Sequence, residues 1–345
     1  MRKHKKAYTI LFIAVVGLIF INLKSIIYGL QQGAGQAEVL WNSQEIDDLL
    51  IDPDFPDSTK EKFRYIAEIK NFSEELLGLT QTENYSTFYD QKGKPILWVV
   101  TASPEFEIKA YEWSFPIAGS FPYKGSFDLE IAKAIQDEMI FKGYDTDLDE
   151  VNAWSTLGWF KDPILSSMLQ RGPGSLAELI IHESTHATLY VKDSAAFNEN
   201  LASFVGMLGA DRFLAYKFGD DSKELNDYVN SRIRRNAYKD YLRKEIHKLN
   251  EFYASMDTTR AIDEWRVLKA KRIEKIKEGL FEINFFSDSL KGRKWLDRIE
   301  FNNAYFSGFS TYSSDLPKLQ RQLDTEFAGD LKKMVTSFKT NYKSL

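Results

Sequence analysis

Cysteine is absent from the 345 residues, which removes disulfides, thiolate nucleophiles, iron–sulfur clusters and every cysteine-ligated zinc site together. Histidine is scarce, with four residues at positions 4, 182, 186 and 247, so any histidine-based metal site has few ways to be built. Internal repeats and low-complexity tracts are lacking as well, which argues against a solenoid or a long disordered tail. An excess of positive charge is also missing. The first 24 residues hold five basic side chains and no acid, and without them 40 basic residues face 50 acidic ones, a net charge of −10. That balance disfavours nucleic acid as a partner. What the chain does have is 43% hydrophobic and 14% aromatic content, enough to bury the core of an enzyme-sized globular protein of one or two domains.

One long hydrophobic run stands out. Residues 7–23 carry no charge and follow Arg2, Lys3, Lys5 and Lys6. The run reads as an uncleaved transmembrane helix rather than a removed signal, because the nearest small-residue cleavage pattern, Gly35-Gln36-Ala37, lies well beyond it. Ile26, Ile27 and Tyr28 extend it if Lys24 reaches back to the interface. The cationic tip predicts a cytoplasmic N-terminus and a catalytic part outside the cytoplasm. The expected division is residues 1–28 as basic tip and anchor, 29–57 as an irregular juxtamembrane connection ending in prolines and acids, and 58–345 as the folded domain.

Within that domain, helical spacing predicts a helix over 58–77 with Ser58 as its cap, and β-branched and aromatic residues predict a buried strand over 96–101. Residues 111–127 read as strand ends and turns. A helix over 128–142 is expected with Asp128 as cap and Gly143 as stop. Gly172-Pro173-Gly174 interrupts regular structure, and Ser175 with Glu178 forms a capping box that starts a helix running to about Val191. Asp193 or Ser194 then caps a second helix that carries Glu199 to about Phe218. Residues 222–280 predict a long helical hairpin with a break near Asp257-Thr258; its 14 basic and 8 acidic side chains between Ser231 and Leu280 read as a solvated face. The fold class is α+β and mainly helical, with a zincin-like helix pair, a small sheet and the hairpin.

The chemistry concentrates in the sequence His182-Glu183-Ser184-Thr185-His186. Imidazoles at i and i+4 lie about 6 Å apart on one helix face, a separation one zinc ion bridges. Glu183, one residue round, is poorly aimed at the metal but able to take a proton from a water beside it. Two surface histidines next to a glutamate are the bland alternative. A catalytic zinc needs a third protein ligand. His247 lies far downstream in a charged helix, so the ligand should be a carboxylate. The chain rises about 6 Å from His186 to Tyr190, turns, and descends about five residues from Ser194, which returns Glu199 to the level of His186. Asp193 sits too high in the turn. Ala202, Ser203 and Gly206 are small enough to let the two helices approach at this level.

The chain also resembles the bacterial predicted aminopeptidases, zinc metallopeptidases often tethered by an N-terminal signal or lipid. The resemblance runs from about Gln31 to the C-terminal region. It rests on Phe115-Pro116-Ile117-Ala118-Gly119 with Pro122-Tyr123-Lys124-Gly125, on the run from Ala153 to Phe160 with Asp162-Pro163, on Ala177 to His186, on Tyr190-Val191-Lys192-Asp193 with Ala196-Phe197-Asn198-Glu199, and on Asn302-Asn303-Ala304 with Thr311-Tyr312. It implies His182, His186 and Glu199 as ligands of one Zn2+, Glu183 as base and a peptide as substrate. Lys124 stands where the family usually has Arg, Trp154 where it has Tyr, and the lipidation cysteine of many members is missing.

Peptide hydrolysis develops an oxyanion that a donor beyond the metal steadies. Tyr312, in a shared motif, is the candidate donor, with Tyr123 and Tyr305 as rivals. Tyr123 and Asn303 are candidates for substrate binding, and Trp154, Trp159 and Phe160 for the wall of a side-chain pocket. Each of these aromatics reads more readily as packing. The same ligands would serve an aminopeptidase, an endopeptidase or a non-catalytic anchored module that keeps its metal for stability; Glu183 argues against the last, since a structural zinc needs no base.

Overall fold

The computed structural model describes residues 23–115, 119–151, 161–192, 194–257, 259–283, 294–310 and 316–342. The apolar run over 7–23 lies outside them except for Leu23. Among the described residues no helix is long and apolar enough to cross a membrane, so the expected transmembrane helix has no counterpart there.

Much of the expected juxtamembrane connection is helical. α1 (Leu23–Trp41) is followed by the two-residue strand β1 (Gln44–Glu45) and the short α2 (Ile46–Ile51). Its glycines and glutamines disguise α1 in sequence, and docking explains it in structure. Val39 is buried in the main core with Ile46 and Leu49, and Tyr28 donates to the Gly125 carbonyl at 2.6 Å and stacks on Phe115. Tyr28 is therefore engaged with protein rather than extending an apolar span.

α3 (Asp57–Leu77) begins behind Pro56, not Ser58, with no side-chain cap, and buries Phe63, Ile66, Ile69 and Phe72 along one face. Among the described residues three small sheets replace the single one expected. β2 (Thr87–Tyr89) pairs antiparallel with β1 and parallel with β8 (Ile164–Leu165). β3 (Leu97–Pro104) is central to the second sheet, between β6 (Lys124–Ser126) and β7 (Tyr144–Val151), with Val100 opposite both Lys124 and Leu148. β4 (Trp113–Phe115) and β5 (Gly119–Phe121) pair antiparallel. α4 (Leu129–Phe141) lies between β6 and β7 in sequence. Asp128 caps it, accepting from the N–H groups of Glu130 and Ile131, as its sequence predicts.

α5 (Pro173–Thr188) and α6 (Ala195–Phe218) form the helix pair, and together with α3 they build the main core through Ile180, Ile181, Phe204 and Phe213. α7 (Lys223–Ala254) and α8 (Ile262–Gly279) are the predicted hairpin; with α9 (Asn303–Ser310) they enclose a second apolar cluster around Leu242, Trp265 and Phe306. α10 (Leu316–Phe327) and α11 (Leu331–Asn341) close over the main core with Leu323, Met334 and Phe338.

Candidate metal centre

α5 starts two residues earlier than its capping box predicts. Proline needs no partner for a missing N–H at the first helical position, so Pro173 opens the helix behind Gly172, and Glu178 is released to pair with Arg235 at 2.8 Å. Hydroxyls along α5 bond back to the helix itself: Ser184 to the Ile180 carbonyl and Thr185 to that of Ile181, each at 2.7 Å. Thr188 bonds Ser184 in the same way and accepts from the Thr80 N–H. The helix ends at Thr188, where Leu189 turns extended.

Beyond Thr188 the chain reverses, and α6 descends beside α5. Gly206 makes the close approach possible, since a Cβ there would lie 2.9 Å from the Glu178 carbonyl and 3.1 Å from the His182 Cβ. The result is convergence. His182 Nε2 lies 3.2 Å from His186 Nε2 and 3.5 Å from Glu199 Oε2, and His186 Nε2 lies 3.3 Å from Glu199 Oε1. With metal–ligand distances of about 2.0–2.1 Å, a tetrahedral ion separates its ligand atoms by roughly 3.3 Å. The three observed spacings fit that edge. The cluster can hold a metal, and it is the one His/Asp/Glu group of that geometry among the described residues.

Electrostatics follow from the crowding. Burial pushes Glu199 up, but hydrogen bonds and charge from His182 and His186 outweigh it and hold the carboxyl down at about 2. Burial works against a charged His182, and Glu199 with Glu183 overcomes it, raising the imidazole. Glu183 is raised, chiefly by burial, despite the opposing pull of the two histidines. The Tyr190 ring packs edge-on against His186, whose Nδ1 has no partner among the described residues.

The other sequence candidates divide. Tyr123 is brought near: after burial, the Glu199 charge is what raises its hydroxyl. Asn303 is not. It is fully buried in the second cluster, where its amide donates to the carbonyls of Pro104 and Glu105 and accepts from Tyr253, so no polar atom remains for a substrate. Tyr305 is likewise occupied, 2.5 Å from the Tyr238 hydroxyl. His247 is exposed on α7 beside Glu251. Tyr312, Asp193, Trp154, Trp159 and Phe160 lie outside the described residues.

Three neighbours of the site were assigned no role from sequence, although Asp162 and Asn198 stand in the shared motifs. Tyr85 and Asp162 are fully buried and lie close enough to Glu183 for their charges to interact. They come from irregular segments far apart in sequence, joined by the Tyr85 N–H to the Asp162 carbonyl at 2.7 Å, and nothing periodic announces them. Asn198 is the third; its place beside Glu199 in a shared motif is the available signal.

Comparison with known proteins adds one finding: the family model described as "Putative aminopeptidase" matches residues 27–343. No curated protein and no solved structure gives a significant match.

Proposed function

Because this chain belongs to the family described as "Putative aminopeptidase", we propose that it hydrolyses peptide bonds as a zinc-dependent aminopeptidase, with His182, His186 and Glu199 as ligands and Glu183 as general base. The carrying observation is the convergence of two imidazole nitrogens and one carboxylate at tetrahedral spacing, with a second carboxylate one residue round the same helix. A zinc ion there would supply Lewis-acid polarisation of the scissile carbonyl and lower the pKa of the attacking water. Glu183 accepts the proton of that water on its carboxylate and passes it to the leaving amine. Its half-buried setting raises its proton affinity, which suits a group that must both take and give a proton. Glu199 offsets part of the ion's charge. Tyr123 is suited to contact the substrate beside Glu199, and Tyr312 retains its candidacy as oxyanion donor on the shared motif.

Fluorogenic amino-acyl substrates and internally quenched peptides, given to the full chain in detergent before and after chelation, test this. Release from the amino-acyl substrates, lost on chelation and restored by zinc, is the expected result. Cleavage confined to the quenched peptides would make it an endopeptidase, and no hydrolysis of either class would overturn the reading. We also propose that residues 7–23 anchor the folded part outside the cytoplasm. Digestion of residues 40–345 by protease added to spheroplasts is expected, and their protection would overturn the assignment.

A further inference from the structure

We propose that Asn198 is a positioning residue for the metal centre: its side chain clamps the turn between α5 and α6 and thereby sets the height at which Glu199 meets His182 and His186. The inference rests on the metal-ligand reading above and goes beyond it, since Asn198 touches no ligand atom.

Among the described residues α6 has no side-chain cap, since Ser194 at its N-cap makes no capping hydrogen bond, and its first turn carries no acid to complement the helix dipole. Asn198 supplies a different restraint. Its amide brackets Val191, accepting from the Val191 N–H at 2.9 Å and donating to the Val191 carbonyl at 2.8 Å. Two antiparallel bonds from one planar group fix separation and rotation together, whereas one bond leaves a pivot. Asn198 is 1% exposed, so water does not compete for either bond.

Position in the helix completes the link. Successive residues of an α-helix are about 100° apart. With Asn198 turned towards the end of α5, Glu199 faces the next sector, where it meets both imidazoles at 3.3 and 3.5 Å. Ligand distances at zinc tolerate only about 0.2 Å of error, so slack in this first turn transfers directly to metal affinity.

The test compares zinc affinity with stability in the full chain. Affinity is read by competition with a chromophoric chelator, the coordination geometry by the visible spectrum of the cobalt-substituted protein, and stability by melting of the metal-free protein. Asn198→Asp is the mild variant: it keeps the acceptor for the Val191 N–H and sets an oxygen against the Val191 carbonyl. Asn198→Ala removes both bonds. Asn303→Ala is the control for loss of an equally buried amide elsewhere. Zinc affinity is expected to fall roughly ten- to a hundredfold in both Asn198 variants, with an altered cobalt spectrum, while Asn303→Ala melts lower and binds zinc as wild type does. If Asn198→Ala does not fold, Asn198→Asp decides. Wild-type affinity in the Asn198 variants would overturn the inference, as would a loss matched by Asn303→Ala at equal destabilisation. Failure of the wild type itself to bind zinc would instead sink the metal reading.

Discussion

Around Asn303 the buried polar groups find partners within the protein. Its amide is shared among backbone carbonyls and Tyr253, its N–H goes to Asp145, and Asp145 also receives the Lys269 ammonium at 2.6 Å, which donates in turn to the Glu105 carbonyl. Around Glu199 they find one another. Two imidazole nitrogens and a carboxylate converge with no lysine or arginine among them, at spacings that could hold an ion. The two clusters thus serve different ends: the one that supplies its own cation is closed and structural, and the half-buried one that presents only ligand atoms is open towards a cation from outside.

The sharpest break between the two regions is chemical. Glu183→Gln should lower peptide hydrolysis by roughly two to four orders of magnitude with zinc retained; initial rates with zinc content measured on the same sample check it. On the closed side, Lys269→Met takes the cation from the half-buried Asp145 and should lower unfolding free energy by about 1–3 kcal/mol. Urea titration would show that loss, and zinc affinity should not change. Gly206→Ala couples packing to the open cluster. Its Cβ would press on the Glu178 backbone and on His182, so a loss of about 1–3 kcal/mol is expected, accompanied by weaker zinc binding. Unaltered affinity in that variant would separate helix spacing from the metal centre.

The smallest effect concerns Asp147, two residues along β7 from Asp145. Burial, with Asp149 and Glu300 nearby, pushes it up to about 6 from 3.8. The folded state therefore holds a proton that the unfolded chain releases, and stability falls as pH rises from about 4 to about 6. Asp147→Asn should flatten that slope and stabilise the protein at pH 7 by about 1–2 kcal/mol. Melting across this pH range tests the sign.

How much of this was legible depended on whether a signal was local. His182, Glu183 and His186 share one helix face, so spacing alone brings them together. Glu199 follows from the rise of two antiparallel helices and the shortness of the turn, and the structure brings it to both imidazoles. The start of α5 was misplaced because two local signals compete there, and Pro173 preempts the Ser175 capping box. β7 was hidden for a different reason. Aspartate is disfavoured in strands, so the alternating Asp145, Asp147 and Asp149 give no local strand signal, and pairing with β3 along all eight residues makes it one. α1 owes its place to contacts with Gly125 and the main core, which no local pattern encodes. Asn303 misled in the opposite sense, since an asparagine in a shared motif proved to be spent on backbone carbonyls.

Zinc content after reconstitution and desalting, measured by elemental analysis on the full chain and on the His186→Ala and Glu199→Ala variants, addresses the central claim most directly. About one zinc per chain in the wild type, with both variants falling together because each leaves two protein ligands, is the predicted result. Less than about a tenth of an equivalent in the wild type, or full occupancy at wild-type affinity in Glu199→Ala, would contradict it.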